Sequence, residues 1–177
     1  MFQNIKSFYL DIVIRWPNTK IGLYLRKSFY NKELNTNFNY VGKGCEIGRI
    51  EATEIKNNVI LGDNVKLIIS GMAKCFIGDS VAIADGVYIR SANHKFTDID
   101  IDILEQGHTW NKVQFNNEEY GIVIERNVWI GARAIILSGA HIGEGSVIAA
   151  GSMVSNKIPP YSVVLGNPGR IIKNRKN

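Results

Sequence analysis

Histidine, cysteine and proline are scarce in this chain: 177 residues contain three His, two Cys and four Pro. Cys45 and Cys75 form no CxxC pair. That excludes a disulfide framework and a cysteine-based zinc motif, and both read as buried free thiols in a reducing compartment. His94, His108 and His141 lack metal-ligand spacing, so no metal is expected. Long apolar runs are missing too. The N-terminal "MFQNIKSFYLDIVIRW" is interrupted by Asp11 and Arg15 and carries Lys6; it is too short and too charged to span a bilayer. It also lacks the small-residue cleavage pattern of a signal peptide, so a soluble cytoplasmic protein is expected. No charge of one sign dominates: 21 Lys and Arg face 16 Asp and Glu, a formal net charge of +5. Outside the tail "RIIKNRKN" the cations form no run. Nucleic-acid binding is not indicated, whereas a small anionic ligand would be well received.

What the chain does have is a beat of six. Ile124, Ile130, Ile136, Ile142, Ile148 and Val154 follow one another without a slip. Most are followed by a small residue, as at Gly131, Gly143, Ala149 and Ser155. Four residues after each anchor comes a second small or aliphatic residue: Val128, Ala134, Ala140, Ser146, Ser152 and Ile158. The phase recurs at Ile77, Ile83 and Ile89, and less regularly at Val41 and Ile47 and at Leu61 and Leu67. The sixteen residues from Leu61 to Ile77, against eighteen for a full turn, imply a shortened or distorted coil there. A period of six suits neither an amphipathic helix nor simple strand alternation. It suits a three-sided coil of short strands, every sixth side chain pointing inward and successive turns stacked about 4.8 Å apart. Such turns bury their apolar faces only by stacking.

The repeated pattern of aliphatic-Gly-x-x-small-x resembles the hexapeptide-repeat acyltransferases. The resemblance covers roughly residues 41–172 and implies an all-β fold, a left-handed parallel β-helix. The expected organisation is an N-terminal helical segment over 1–40, the β-helix over 41–172 with a protruding loop at 95–122, and a basic tail at 173–177. Lys20, Arg26 and Lys27, set among Leu23, Leu25, Phe29 and Tyr30, suggest a helix packed on its own protein, with weak membrane-surface docking as the lesser alternative. The stretch "GLYLRKSFY" resembles a segment of surface-polysaccharide acetyltransferases.

The beat breaks at "SANHKF" and resumes only at Ile124. An insertion at an outward corner leaves a stacked core intact and costs little closure entropy. His94 stands at its root. "SANHKF" resembles the motif in which sugar and xenobiotic O-acetyltransferases carry their general base, which implies that role for His94. The chemistry asks for one: a sugar hydroxyl attacks a thioester poorly until its proton is removed, and imidazole is well matched to that task at neutral pH. Asn93 either helps to place the acceptor or the imidazole or is a plain corner asparagine. His108 either touches the acceptor or a neighbouring subunit or is a solvated loop residue, and His141 reads as an exposed corner.

The segment "VWIGARAIILSGAHIGEGSVIAAGSMVSNKIPPYSVVLGNPGR" is similar to maltose/galactoside and capsular-polysaccharide O-acetyltransferases. It departs from their pattern at Ala149, usually glycine, and Gly169, usually alanine. The resemblance implies acetyl-CoA as acyl donor. Small corners at Ala132, Ala150, Gly151 and Ser155 would let a pantetheine arm lie on the backbone, with Trp129 near its acyl end. Lys157, Arg170 and Lys173 offer cations to phosphates. The expected activity is O-acetylation of a saccharide, with a homotrimer sharing its active sites between subunits. N-acetylation of an amino sugar nucleotide and a non-catalytic scaffold are the alternatives; a β-helical carbonic anhydrase would need a histidine spacing that is missing.

Overall fold

A computed structural model of the chain describes residues 11–176; the readings made on residues 1–10 and on Asn177 lie outside it. After a helical stretch at 11–15 comes helix α1 (Lys20–Leu34), and the rest is strand and turn apart from one short 3-10 helix, Ile50–Ala52. Three parallel faces wind about one axis. The first holds β1 (Phe38–Val41), β4 (Val59–Leu61), β7 (Ala82–Ile83), β14 (Trp129–Ile130), β17 (Val147–Ile148) and β20 (Ser162–Leu165), closed by the antiparallel β21 (Arg170–Asn174). The second holds β2 (Glu46–Ile47), β5 (Lys66–Ile68), β8 (Tyr88–Arg90), β15 (Ile135–Leu137) and β18 (Met153–Val154). The third holds β3 (Thr53–Ile55), β6 (Cys75–Ile77), β13 (Ile122–Ile124), β16 (His141–Ile142) and β19 (Lys157–Ile158). The inserted segment contributes β9 (Asn93–His94), β10 (His108–Thr109), β11 (Val113–Phe115) and β12 (Glu118–Tyr120).

The six-residue anchors form the core. Val41, Leu61, Ile83, Ile130, Ile148 and Val164 stack down the first face, all fully buried. Leu67, Ile89, Ile136 and Val154 do so on the second, and Ile55, Ile77, Ile124, Ile142 and Ile158 on the third. Each such burial is worth roughly 1.5–3 kcal/mol. The glycine after an anchor serves close approach between coils: a Cβ on Gly131 would lie 2.5 Å from the Ala150 nitrogen of the next coil. The turn itself is made two residues later. Gly44, Asn64, Gly86, Arg133 and Gly151 between the first and second faces, and Asn58, Ser80, Asn127, Gly145 and Tyr161 between the third and first, all have positive φ.

The third corner is different. From the second-face anchor to the third-face anchor the chain takes eight residues (Ile47 to Ile55), ten (Leu67 to Ile77), thirty-five (Ile89 to Ile124), six (Ile136 to Ile142) and four (Val154 to Ile158). Of the shortened or distorted coil expected between Leu61 and Ile77, the distortion is there but its sign is the opposite. Leu61 stacks on Ile83 and Ile55 on Ile77, so that coil is lengthened.

Helix α1 caps the open end of the prism. Thr19 is its N-cap, the hydroxyl accepting from the Gly22 N–H at 3.1 Å. Arg26, expected on a basic face, is 0% exposed. It donates from Nε to the Val41 carbonyl at 2.9 Å, from Nη1 to the Trp16 carbonyl and from Nη2 to Asn18, both at 2.6 Å. The Tyr30 hydroxyl donates to the Cys45 carbonyl at 3.0 Å. The "GLYLRKSFY" stretch is thus occupied in closing the first coil.

The insertion is only partly a protrusion. The hairpin β11–β12 folds back on the outside of the third face, where Val113, Phe115 and Tyr120 pack with Phe76 and Val123. Phe115 and Tyr120 are therefore used within the chain. The exposed apolar residues belong to the earlier part, notably Ile99 (94%) and Leu104 (85%). Among the described residues no helix is long and apolar enough to cross a membrane.

Burial holds both thiols in the neutral form, Cys45 and Cys75 each being pushed up to about 12. The thiolate is the reactive species. Both cysteines are therefore expected to resist iodoacetamide at pH 8 in the folded protein and to alkylate on denaturation, as read by mass spectrometry. Rapid native labelling of either would contradict this placement.

Candidate active site

The site lies where the corner is longest. β8 ends at Arg90, and buried Ser91 bolts the corner to the coil below by accepting the Ser70 N–H at 2.9 Å. The returning chain passes directly against it: a Cβ on Gly121 would lie 2.7 Å from the Ser91 carbonyl oxygen. Departure and return are thus adjacent, which is why thirty-odd residues insert without disturbing the stack.

Just beyond Ser91, β9 pairs antiparallel with β10, setting His94 opposite His108 and Asn93 opposite Thr109. The two imidazoles stack with centroids 4.5 Å apart at 36°. Both side chains are exposed, and the ring contact is their principal restraint. Of the sequence candidates, then, His94, Asn93 and His108 are gathered at one place. His141 is not, and it is not an exposed corner either. It lies on β16 of the third face, its Nε2 2.6 Å from Glu125 Oε1 and its ring edge-on to Phe115. Among the described residues no cluster of three or more His, Cys, Asp or Glu that could hold a metal occurs.

On one side of the histidine pair is a cavity of about 310 Å³, bordered by Arg49, Arg90, Ala92 and His108 with residues 68–71. Sequence reasoning passed over Arg49 and Arg90. The available signal was positional: Arg90 comes one residue and Arg49 two residues after a second-face anchor, at the corner where the spacing fails. On the other side, Asn111 crosses the fourth coil, its N–H donating to the Ser138 hydroxyl at 2.7 Å. Ser155 and Lys157 lie beyond, at the same corner of the fifth coil.

The remaining cofactor candidates face elsewhere. Trp129 points outward from the first face, 56% exposed. Ala132, Ala150 and Gly151 lie in a groove of about 570 Å³ at the first-to-second corner, with Asn64, Asp85, Gly86 and Arg133. A Cβ on Gly151 would meet nothing within 4 Å, so the groove floor is open. Arg170 and Lys173 lie exposed on β21 past the last coil. One chain therefore does not bring all the expected cofactor residues to one place.

Residues 121–156 match the family model for the bacterial transferase hexapeptide, six repeats. Those residues carry the hexapeptide repeat of bacterial transferases. A probable acetyltransferase of Mycobacterium tuberculosis is 36% identical over 121 residues, covering 68% of this chain and 36% of its own length. The crystal structure of a maltose O-acetyltransferase from Clostridium difficile superposes with a TM-score of 0.70 at 26% identity, over 93% of this chain and 81% of that one. A hexapeptide-repeat acetyltransferase from Vibrio cholerae, solved with acetyl coenzyme A, gives 0.72 at 25% identity, over 97% and 86%. This chain spans between 36% and 61% of the length of the first curated relatives it matches.

Proposed function

We propose that this chain is an acetyl-CoA-dependent O-acetyltransferase acting on a saccharide hydroxyl, with His94 as general base, and that its coil winds left-handed as the resemblance implies. Support comes from the likeness to a maltose O-acetyltransferase and to an acetyltransferase solved with acetyl-CoA. The observation that carries the reading is the position of His94. It sits in β9, four residues past the end of coil strand β8, between a polar cavity and a corner that leads to Ser155 and Lys157. A bacterial surface polysaccharide or its precursor is the acceptor class the resemblance points to, although the stretch that pointed there is used in capping the prism.

Acetyl-CoA supplies an acetyl group on a thioester. The donor suits the residues present: small, open corners for the pantetheine arm and exposed cations at Lys157, Arg170 and Lys173 for phosphates. His94 takes the proton of the acceptor hydroxyl while its oxygen bonds to the acetyl carbon. The carbon–sulfur bond breaks, and the imidazolium returns the proton to the departing sulfur, leaving an acetyl ester and free thiol. His94→Ala should lower kcat at least about a hundredfold with little change in acetyl-CoA affinity, because a base acts on the transition state. Thiol release with a panel of bacterial glycans measures this. Turnover within a few-fold of the native protein would remove His94 from the chemistry, and release with amines alone would mean N-acetylation.

The division of cofactor residues supports a homotrimer. A ligand lying along the His94 corner of one chain does not reach Trp129, Ala132 and Ala150 of that chain, but a cyclic neighbour presents them. The outer row of the first face, Ile60, Ala82, Trp129, Val147 and Val163, is suitably apolar for such a contact. A His94→Ala chain mixed with one blocked at Gly151 (Gly151→Trp) should recover part of the activity. No recovery, with mixed trimers demonstrated by mass spectrometry, would place each site within one chain.

A further inference from the structure

We infer that the acceptor is an anionic saccharide, and that Arg90 and Arg49 hold its carboxylate or phosphate in the cavity beside His94 and His108. The inference rests on the acyltransferase reading and adds the charge of its substrate. The observations are four. First, the cavity borders on two guanidinium groups and one imidazole, and no carboxylate lines it. Second, Arg90 is half-buried yet held only by neutral oxygens: Nε donates to the Ala92 carbonyl at 2.9 Å and Nη1 to the Tyr88 hydroxyl at 3.3 Å. Two of its five N–H donors are thus used, and no carboxylate pairs with it among the described residues. A guanidinium fixed at one edge, with its charge uncompensated, is a preorganised anion receptor. Third, Arg49 occupies the left-handed region at φ 50, a conformation that is strained for a non-glycine residue. Its partner is the exposed Glu51 at 3.6 Å, a pair of little strength in water. Fourth, the cavity touches the histidine pair, because His108 borders it and stacks on His94. An acceptor anchored there by its charge would offer a hydroxyl to the base, and the donor would come from the side of the later coils.

Two sources of such an anion exist: a uronic-type carboxylate within a glycan, or the phosphate of a sugar phosphate. Maltose, a galacturonic acid oligomer and glucose 1-phosphate separate them. In thiol-release assays one anionic probe should exceed maltose in kcat/KM by at least about tenfold, an advantage that shrinks as salt is raised. Arg49→Gln removes an exposed charge without touching the core, and Arg90→Gln removes the fixed one. Either should cut the anionic-over-neutral preference several-fold, and Arg90→Lys should restore part of it. Binding of the preferred anion without acetyl-CoA, measured by calorimetry, should weaken in the same variants. Maltose used as well as both anions, or a preference unmoved by either substitution, would overturn the inference and leave the acyltransferase reading standing. Arginine-dependent anion binding with no thiol release from any acceptor would do the reverse: the anion site would stand and acetyl transfer would fall.

Discussion

Every coil of this protein must hydrogen-bond to the coil on either side of it, and that requirement governs the rest. A coil with the wrong number of residues between faces would slip out of register. Its aliphatic anchors would then leave the core, and its backbone groups would lose their partners. Two of the three corners therefore keep one length. Each places a left-handed residue three positions after the anchor, as at Asn64 and Gly86 or at Asn127 and Gly145. The helix answers the same demand at the open end. There the Val41 carbonyl has no preceding coil, and Arg26 donates to it from a fully buried position. The cost of sinking a guanidinium is offset because each of its nitrogens finds an oxygen.

Length variation, excluded from two corners, collects at the third. The strands on either side of that corner stay in register whether it takes four residues or thirty-five. The insertion can therefore shape a site without taxing the fold. It doubles back to stack His108 on His94, then lays Asn111 across the next coil and packs its hairpin on the third face. The result is a lane along one edge of the prism, with coils as its rungs. An arginine-lined cavity occupies the early coils, the histidine pair the middle, and Ser155 and Lys157 the later ones. A direct transfer between two bound molecules requires an arrangement of this kind, with a base between donor and acceptor.

Much of this could be read from the residues. The anchors from Ile124 to Val154 carry the period, and the break at His94 marks the loop root, because both depend on spacing alone. Stacking partners were harder. The count from Leu61 to Ile77 was set against a full turn of eighteen, when the two residues lie on different faces and the true partner of Leu61 is Ile83. Arg26 and His141 were misjudged for a shared reason: a polar residue in an amphipathic or corner-like context suggests exposure. Its burial depends on partners distant in sequence, Val41 for one and Glu125 with Phe115 for the other. Arg49 and Arg90 escaped notice because they belong to different coils, and only stacking brings them to one cavity.

The exceptions to the corner rule are themselves informative. Glycine and asparagine tolerate positive φ, whereas larger side chains resist it. Among the corners, Ser80, Tyr161, Arg133 and Arg49 break that preference. For two of them the surroundings explain the choice. Ser80 accepts a hydrogen bond from Asn58 at the matching corner of the coil below. Tyr161 lies at the last coil, donates to Glu144 and carries the Lys176 ammonium 3.8 Å from its ring centre. For the other two the surroundings say less, although Arg49 opens the short 3-10 turn Ile50–Ala52 and its side chain meets the exposed Glu51 at 3.6 Å. Arg133 stands exposed over Gly86 in the groove with Ala132 and Ala150, and Arg49 borders the cavity beside His108. A fold built on strict local rules that breaks them with arginine at two of its cavities spends stability there. Glycine or asparagine would relieve the backbone at either position, and the reading proposed above assigns what Arg49 contributes to an anion received beside His108.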